Sequence, residues 1–199
     1  MSSTLVIADL HLCESRPDIT QCFISFLEQN SAQHDALYIL GDLFEAWIGD
    51  DDINPFTSLI AESIQHFSQT TPVYFCQGNR DFLLGKKYCK RAGMTLLADL
   101  TQLNLYGHSV VMMHGDQLCI DDIDYQKFRK KSRSWWWQAF MLMLPLKKRR
   151  EIAKNIRLKS KESQMQKAED IMDVAQREVQ NVVETTGCEW LIHGHTHRP

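Results

Sequence analysis

The chain has 199 residues, of which 44% are hydrophobic, and its 22 Lys and Arg against 25 Asp and Glu give a formal net charge of −3. This length predicts one domain, or one domain with an insertion, and no apolar run approaches the roughly 20 residues of a membrane-spanning helix. The six cysteines show no Cys-x-x-Cys spacing, so we interpret them as reduced thiols of a cytoplasmic protein.

Short runs rich in aliphatic, β-branched and aromatic residues predict buried strands. In chain order, they span residues 5–8, 36–40, 73–76, 110–113 and 190–192. The intervening segments predict helices at residues 18–29, 55–68, 82–92, 122–138 and 163–184. Residues 103–106 and 108–113 predict a hairpin that turns at Gly107. The alternation of strands and helices in the N-terminal half indicates an α/β fold.

A short polar segment ends each of the five strands, and each segment contains side chains that bind metal ions. Open α/β sheets place their sites beyond the ends of strands, where side chains are held rigidly and remain open to solvent. Three Asp or Asn oxygens and four His nitrogens are enough to bind two divalent metal ions. The seven candidate ligands are Asp9, His11, Asp42, Asn79, His114, His195 and His197.

The residue types define the chemistry of this predicted centre. Carboxylate oxygens and imidazole nitrogens suit Mn, Fe, Zn, Co or Ni, and the absence of Cys from all five segments argues against a thiolate site. We predict that Asp42 is the bridging ligand, because one carboxylate can bind two cations with its two oxygens. Asp9 and His11 are two residues apart, so extended backbone would direct both side chains to one face. The same spacing separates His195 and His197.

A dinuclear centre would supply its own nucleophile. Two metal ions about 3.5–4 Å apart hold a shared water, lower its pKa toward neutrality and neutralise phosphate charge during in-line attack. No protein nucleophile is then required, which agrees with the absence of a Gly-x-Ser-x-Gly motif from the sequence. The pattern therefore indicates metal-dependent hydrolysis of a phosphate ester.

The order of the five segments resembles the calcineurin-like metallophosphoesterases, whose pattern is Asp-x-His, Gly-Asp, Gly-Asn-His, His and Gly-His-x-His. This sequence departs from that pattern at Arg80, where the family usually has His. Together with the longer blocks at residues 41–51 and 194–199, this departure resembles the branch of the family that acts on UDP-2,3-diacylglucosamine in lipid A synthesis. The resemblance implies a sandwich of mixed β-sheets flanked by helices. It also implies two divalent metal ions, usually Mn²⁺, and release of UMP and 2,3-diacylglucosamine 1-phosphate.

The resemblance assigns roles to individual residues. It implies that one metal is bound by Asp9, His11, Asp42 and His197, and the other by Asp42, Asn79, His114 and His195. The implied catalytic group is Asp42, Asn79, Arg80, His114 and His195. The implied substrate contacts are Asn79, Arg80, Asp122, Ser160, Gln164, Lys167 and His195. The planar fork of Arg80 can bind two phosphate oxygens, whereas Gln164 stands where that family has Asn, which changes the reach of this contact.

The charge is distributed unevenly along the chain. Residues 126–167 hold 14 Lys and Arg and two acids, a net charge of +12, so the remainder carries −15. Three consecutive tryptophans, at residues 135–137, interrupt this basic segment. We predict that residues 125–165 form a helical lipid-binding cap, inserted in a single domain of residues 1–199. Its basic flanks at residues 127–133 and 147–150 would attach the protein peripherally to an anionic membrane. The resemblance implies that this is the cytoplasmic face of the inner membrane of a Gram-negative bacterium.

Two other functions fit parts of this pattern. A metallophosphoesterase acting on nucleic acid would stack bases on the tryptophans and bind phosphates with the lysines. A metal-binding scaffold without turnover would need only the ligands. We favour the lipid-directed hydrolase, and we expect no nucleic acid partner and no obligate protein partner. Since the resembling family continues beyond the last ligand motif, we also expect further strands after Pro199.

Overall fold

The computed structural model describes residues 2–166 and 173–197, and for residues 161 and 163–166 only the backbone. Seven strands of this part of the chain form two sheets. The first sheet is parallel, with the order β1 (Thr4–Ile7), β2 (Ala36–Leu40), β3 (Val73–Cys76) and β4 (Met94–Leu96). The second sheet contains β5 (Leu100–Leu105), β6 (His108–Met113) and β7 (Trp190–His193). β5 and β6 are antiparallel, as the predicted hairpin requires, and β6 and β7 are parallel.

Helices connect these strands within the described residues. Three helices belong to the N-terminal half: α1 (Pro17–Asn30), α2 (Pro55–Ser68) and α3 (Lys86–Arg91). Three more follow one another between β6 and β7: α4 (Ile123–Ser132), α5 (Trp135–Met143) and α6 (Leu146–Gln166). The last is α7 (Gln176–Thr186), which precedes β7.

The core has several layers because alternate residues of a strand face opposite sides of its sheet. In β2, Leu37 and Ile39 pack with buried residues of α1 and α2. Tyr38 and Leu40, which point to the opposite face, pack with buried residues of β6 in the second sheet. The opposite face of β6 packs against α7. The structure is therefore a sandwich of a parallel and a mixed sheet flanked by helices, which confirms the predicted fold class.

Local sequence determines where α2 begins. The Asn54 side chain accepts a hydrogen bond from the Thr57 N–H at 2.8 Å, and the Thr57 hydroxyl accepts one from the Asn54 N–H at 3.1 Å. Pro55 occupies the first turn, where its missing N–H costs nothing. This reciprocal cap explains why the helix begins where the sequence predicts.

Three predicted helices differ from the observed ones. The helix predicted at 82–92 is shorter, because Phe82 and Leu83 form a buried turn before α3. The helix predicted at 122–138 is two helices, since Ser134 is extended, with φ −71° and ψ 135°. The start predicted at residue 163 is also wrong. α6 already begins at Leu146, where the Pro145 carbonyl accepts hydrogen bonds from the Lys148 and Arg149 N–H groups.

Candidate metal centre

Five loops meet at one edge of the sandwich, each directly after a strand. The Asp9 N–H donates to the Gly41 carbonyl at 3.1 Å, and the His11 N–H donates to the Asp42 carbonyl at 2.9 Å. The His195 N–H donates to Oδ2 of Asp9 at 2.7 Å, which joins a loop of the second sheet to a loop of the first. Together with hydrogen bonds from the Gly194 N–H to the His114 carbonyl and from the Arg80 N–H to Oδ1 of Asp42, they bring the seven predicted ligands together from β1, β2, β3, β6 and β7.

One ligand group contains Asp9, His11 and His197. A ligand atom of each lies within 4.8 Å of the others, and the Nε2 atoms of His11 and His197 are 3.2 Å apart. Oδ1 of Asp9 and Nδ1 of His11 are buried and have no hydrogen-bond partner among the described residues. Buried polar atoms of this kind are costly unless they are satisfied. The arrangement therefore fits a cation.

The second ligand group is built around Asn79. Its Oδ1 lies 2.9 Å from Nε2 of His114 and 3.0 Å from Nδ1 of His195. The other ring nitrogen of His114, Nδ1, is 2.8 Å from the Leu40 carbonyl. A carbonyl only accepts, so Nδ1 donates to it and Nε2 is the ring atom directed at the centre. Nε2 of His114 and Oδ1 of Asn79 are placed so that both could bind the same cation.

Asp42 lies between the two groups and is only 2% exposed. Its Oδ2 is 3.8 Å from Nδ1 of His11, and its Oδ1 is 3.8 Å from Nε2 of His114. Each carboxylate oxygen thus faces a different group, as a bridging ligand requires. Burial raises the pKa of Asp42 to about 7, although the Arg80 N–H and guanidinium act in the opposite direction. Positive charge at the centre would favour the ionised carboxylate.

Two histidines of the centre, His11 and His195, are held in the form that binds metals. Burial, and after it the positive charge of Arg80, lowers the pKa of His11 to about 3. Burial, and after it His114, lowers the pKa of His195 to about 4. Both rings are therefore neutral at neutral pH and have a lone pair available for a cation.

The backbone at the ligands is not extended, contrary to our prediction from the two-residue spacing. Left-handed conformations occur at five ligands: Asp9 (φ 56°), His11 (φ 50°), Asp42 (φ 50°), His195 (φ 73°) and His197 (φ 53°). Non-glycine residues adopt this conformation at a cost, and such residues concentrate at functional sites. The convergence of these side chains therefore comes from strained turns rather than from strand alternation.

Asp81 holds two ligand loops together, a role that the sequence did not predict. Its fully buried carboxylate accepts hydrogen bonds from the Gly78 N–H at 2.7 Å and the Leu43 N–H at 2.8 Å. The Asp42 N–H adds a longer bond of 3.3 Å. Gly78 must lack a side chain, because a Cβ there would overlap the Asp42 carboxylate. The Asp that follows Gly-Asn-Arg was a visible signal, but its partners in the other loop, Leu43 and Asp42, lie 38 and 39 residues away.

Arg80 occupies the boundary of the centre. Its N–H donates to Oδ1 of Asp42 at 2.8 Å, and its Nε is 3.5 Å from Oδ2 of the same carboxylate. Its guanidinium pairs with Glu45. Arg80 does not pair with the neighbouring Asp81, whose carboxylate accepts from backbone N–H groups. It is placed where a phosphate beside the ligands could be bound.

Comparison with known proteins shows the family of this chain. The calcineurin-like phosphoesterase family matches residues 2–199. The UDP-2,3-diacylglucosamine hydrolase of Escherichia coli O7:K1 (strain IAI39 / ExPEC) is 53% identical over 198 residues, covering 99% of this chain and 82% of that protein. The hydrolase of that name from Shewanella loihica is 50% identical over 199 residues, covering 100% of this chain and 82% of that protein. This chain belongs to the UDP-2,3-diacylglucosamine hydrolase family.

Membership of this hydrolase family confirms two predictions: the calcineurin-like fold and metal-dependent hydrolysis. Among solved structures, the protein of unknown function AQ665 from Aquifex aeolicus is similar at 15% identity and a TM-score of 0.41. The similarity covers 66% of this chain and 72% of that one. Of the helices described for this hydrolase, none is long and apolar enough to cross a membrane.

A cavity of about 470 Å³ opens beside the ligands of the hydrolase. Apolar side chains of the turn before α3 and of α4, α5 and α6 form much of its wall. The five predicted substrate contacts that line it are Asn79, Arg80, Asp122, Ser160 and His195. Asp122 also caps α4, because its Oδ1 accepts from the Tyr125 N–H at 3.0 Å. The Gln164 side chain and Lys167 lie outside the described residues, and the roles of all seven stay predictions.

Some basic residues predicted to face a membrane instead anchor the helices to the hydrolase core. Arg129 donates to Asp116 at 2.9 Å, and Arg133 donates to the Gly78 carbonyl at 3.0 Å. Arg149 is buried against the loop between β2 and α2. The prediction for flanks 127–133 and 147–150 was therefore wrong for these three arginines. Their partners are distant in sequence, so a basic run alone does not distinguish inward from outward side chains.

Proposed function

We propose that this hydrolase cleaves the pyrophosphate bond of UDP-2,3-diacylglucosamine and releases UMP and 2,3-diacylglucosamine 1-phosphate. One observation supports the proposal most strongly: Asn79 and His195 of the second ligand group line a cavity with apolar walls, and Arg80 lines it beside them. A diphosphate flanked by acyl chains needs both environments side by side. The names of the relatives support the same substrate.

The two ligand groups would hold two divalent cations, for which we propose Mn²⁺. The donors are carboxylate, amide and imidazole atoms, the set that suits Mn²⁺ and related ions. When bound, two such ions neutralise phosphate charge and lower the pKa of a water shared between them. Asp9, His11, Asp42 and His197 would hold one ion, and Asp42, Asn79, His114 and His195 the other.

The residues at the boundary would orient the diphosphate. We assign Asp42, Asn79, Arg80, His114 and His195 to the catalytic group: Asn79, Arg80 and His195 line the cavity, and Asp42 and His114 lie directly behind them. Arg80 would bind phosphate oxygens with its planar fork and stabilise the charge that develops during cleavage. In this arrangement no protein side chain acts as a nucleophile.

The sugar and acyl chains would occupy the cavity. Asp122 and Ser160 would contact the sugar and phosphate, and Gln164 and Lys167 complete the proposed substrate-binding set. We assign residues 125–165 as a lipid-binding cap inserted in a single domain. The helices α4 to α6 account for most of this segment and contribute much of the apolar wall.

The outer face of α5 would attach the protein to the inner membrane on its cytoplasmic side. Trp135 is 80% exposed, and Trp136, Phe140 and Met143 are also exposed, whereas Trp137 and Met141 are buried and line the cavity. The exposed Lys147 and Lys148 follow at the start of α6. Aromatic and basic side chains in this arrangement bind the interface of an anionic membrane.

The proposal is tested by product analysis. We expect the Mn²⁺-loaded protein to release UMP and 2,3-diacylglucosamine 1-phosphate from UDP-2,3-diacylglucosamine dispersed in detergent. It should leave single-stranded oligonucleotides intact. Cleavage of the oligonucleotides without UMP release from the lipid would instead support a nucleic acid phosphoesterase.

A further inference from the structure

Glu45 lies at the junction of the centre and the cap, between two arginines. Its Oε2 accepts a hydrogen bond from Nη1 of Arg80, and its Oε1 accepts one from Nη2 of Arg157. Arg80 follows the ligand Asn79, whereas Arg157 lies on α6, 112 residues from Glu45. One carboxylate therefore connects a residue of the proposed catalytic group to the cap.

Both arginines line the cavity. The side chains of Arg157 and Glu45 are 32% and 36% exposed, so neither is locked in the interior. Two guanidinium groups share the Glu45 carboxylate, and Nε of Arg80 also lies 3.5 Å from Oδ2 of Asp42, so two positive groups lie side by side at the edge of the ligand groups. This arrangement attracts an anion with more than one charge, such as a diphosphate.

Arg149, also on α6, is an example of an arginine with a structural role. The Arg149 side chain is 3% exposed, and it donates to the carbonyls of Ile48 at 2.7 Å and Leu144 at 2.9 Å as well as to Asp51. These partners hold it in one place. Arg149 and Arg157 both line the cavity, but the side chain of Arg157 is 32% exposed and the contact described for it is the single carboxylate of Glu45.

We propose that Arg157 is a second phosphate-binding arginine and that Glu45 is its counterion until the substrate binds. The inference rests on the proposed function, because it requires a substrate with two phosphates. A phosphate oxygen would replace the Glu45 oxygen at each guanidinium, since both are anionic acceptors of the same N–H donors. Arg80 would then bind the phosphate nearest the ligands, and Arg157 would bind the other.

The alternative is that Glu45 is a clamp that holds α6 against the core. The two roles predict opposite effects of the near-isosteric substitution Glu45→Gln. Removal of a clamp would weaken substrate binding together with the cap. Removal of a competing counterion would strengthen it, because the arginines no longer need to be released from a carboxylate.

Equilibrium binding of UDP to the Mn²⁺-loaded protein, measured by calorimetry, separates these roles. We expect Glu45→Gln to bind UDP more tightly than wild type, and Arg157→Ala to bind it about ten- to a hundredfold more weakly. Arg157→Lys should recover part of this loss, because the charge remains and the fork does not. UMP, with one phosphate, should be less affected than UDP. Lys154→Ala removes a charge from the same helix at an exposed position outside the cavity, and it should bind UDP like wild type.

Weaker UDP binding by Glu45→Gln at wild-type metal content would contradict the counterion role; metal content is measured because Oε2 of Glu45 lies 3.9 Å from Nδ1 of His11. Wild-type UDP affinity in both Arg157 variants would contradict phosphate binding by Arg157. These outcomes are distinguishable from failure of the proposed function. In that case, the wild-type protein would release no UMP from UDP-2,3-diacylglucosamine, whatever the order of UDP affinities. Thermal unfolding of each variant identifies any loss of fold, and Glu45→Gln and Arg157→Lys preserve side-chain shape or charge if Arg157→Ala does not fold.

Discussion

At the level of single residues, Asp42 directs one carboxylate oxygen toward each ligand group. We predict that Asp42→Ala loses both metal ions and all activity, because a bridging ligand serves both. Asn79→Ala should mainly lose the ion of the second group. Metal analysis of the purified variants measures this difference directly. Two fully occupied ions in Asp42→Ala would contradict the bridging role.

Arg80 is expected to act on the substrate rather than on the metals. Arg80→Ala should lower turnover about ten- to a hundredfold, because each charge-assisted hydrogen bond to phosphate is worth roughly 1.5–3 kcal/mol. Arg80→Lys should recover only part of this loss. The metal content of both variants should match wild type, which serves as the control. Wild-type turnover in Arg80→Ala would contradict phosphate binding and leave Arg80 with a structural role as the partner of Glu45 and Asp42.

The ligands themselves were predictable from the sequence because each one ends an apolar run. Their partners were not. Glu45 reaches Arg157 across 112 residues, and Asp81 reaches the Leu43 N–H across 38. Such pairs depend on how the loops pack, which no local pattern encodes. The left-handed conformation of Asp9 and His11 was missed for a related reason: residue spacing suggested extended backbone, and the turns impose another conformation.

At the level of elements, local signals predicted some helices well and others poorly. The cap formed by Asn54 and Thr57 defines the start of α2 in the sequence itself. The break between α4 and α5 follows from an extended Ser134, next to Arg133, whose guanidinium binds the Gly78 carbonyl. In α6, a lysine- and arginine-rich sequence obscured the weak apolar periodicity, so its first turns were not recognised.

Arg149 attaches α6 to the core, so we expect it to contribute to the free energy of unfolding. Arg149→Ala should lower the free energy of unfolding by about 1–3 kcal/mol, because two main-chain carbonyls and Asp51 lose a donor. Most of this loss comes from the buried carbonyls, since the Asp51 carboxylate is largely exposed. Arg150→Ala is the matched control. It removes an exposed pair with Asp52 and should cost about 0–1 kcal/mol.

The same pair predicts a pH dependence. The hydrogen bond from Arg149 lowers the pKa of Asp51. A lowered pKa means that this part of the stability is present above the ordinary carboxyl range and is lost as the pH falls through the folded-state pKa. The difference in free energy of unfolding between wild type and Arg149→Ala should therefore become smaller in acid. It should not reach zero, because the hydrogen bonds to the two carbonyls remain. Urea unfolding at neutral and acidic pH measures this difference in free energy. A larger difference in acid than at neutral pH would contradict this role of Asp51.

At the level of the whole molecule, the basic residues of the cap fall into two groups with different surroundings. Arg129, Arg133 and Arg149 attach the cap helices to the acidic body. Lys147 and Lys148 remain exposed near the exposed aromatic residues of α5. The sequence predicted the presence of a basic insertion, and only the packing distinguishes which of its charges are available to a membrane.

We predict that Lys147→Gln/Lys148→Gln weakens binding to anionic vesicles, because each basic residue near such a surface adds about 1 kcal/mol. Hydrolysis of detergent-dispersed substrate should be unchanged. The double variant Lys86→Gln/Lys87→Gln, at an exposed lysine pair of α3 outside the cap, is the control and should bind vesicles like wild type. Vesicle flotation measures the binding. Equal binding by wild type and both double variants would contradict membrane attachment through this part of the cap.

The central claim is that two divalent ions held by the seven ligands enable hydrolysis of UDP-2,3-diacylglucosamine. The most direct test is UMP release by the wild-type protein after complete chelation, followed by stepwise return of Mn²⁺. We predict no UMP release without metal and full recovery when two ions are bound per chain. UMP release that survives chelation, or that is complete with one ion per chain, would contradict the dinuclear mechanism.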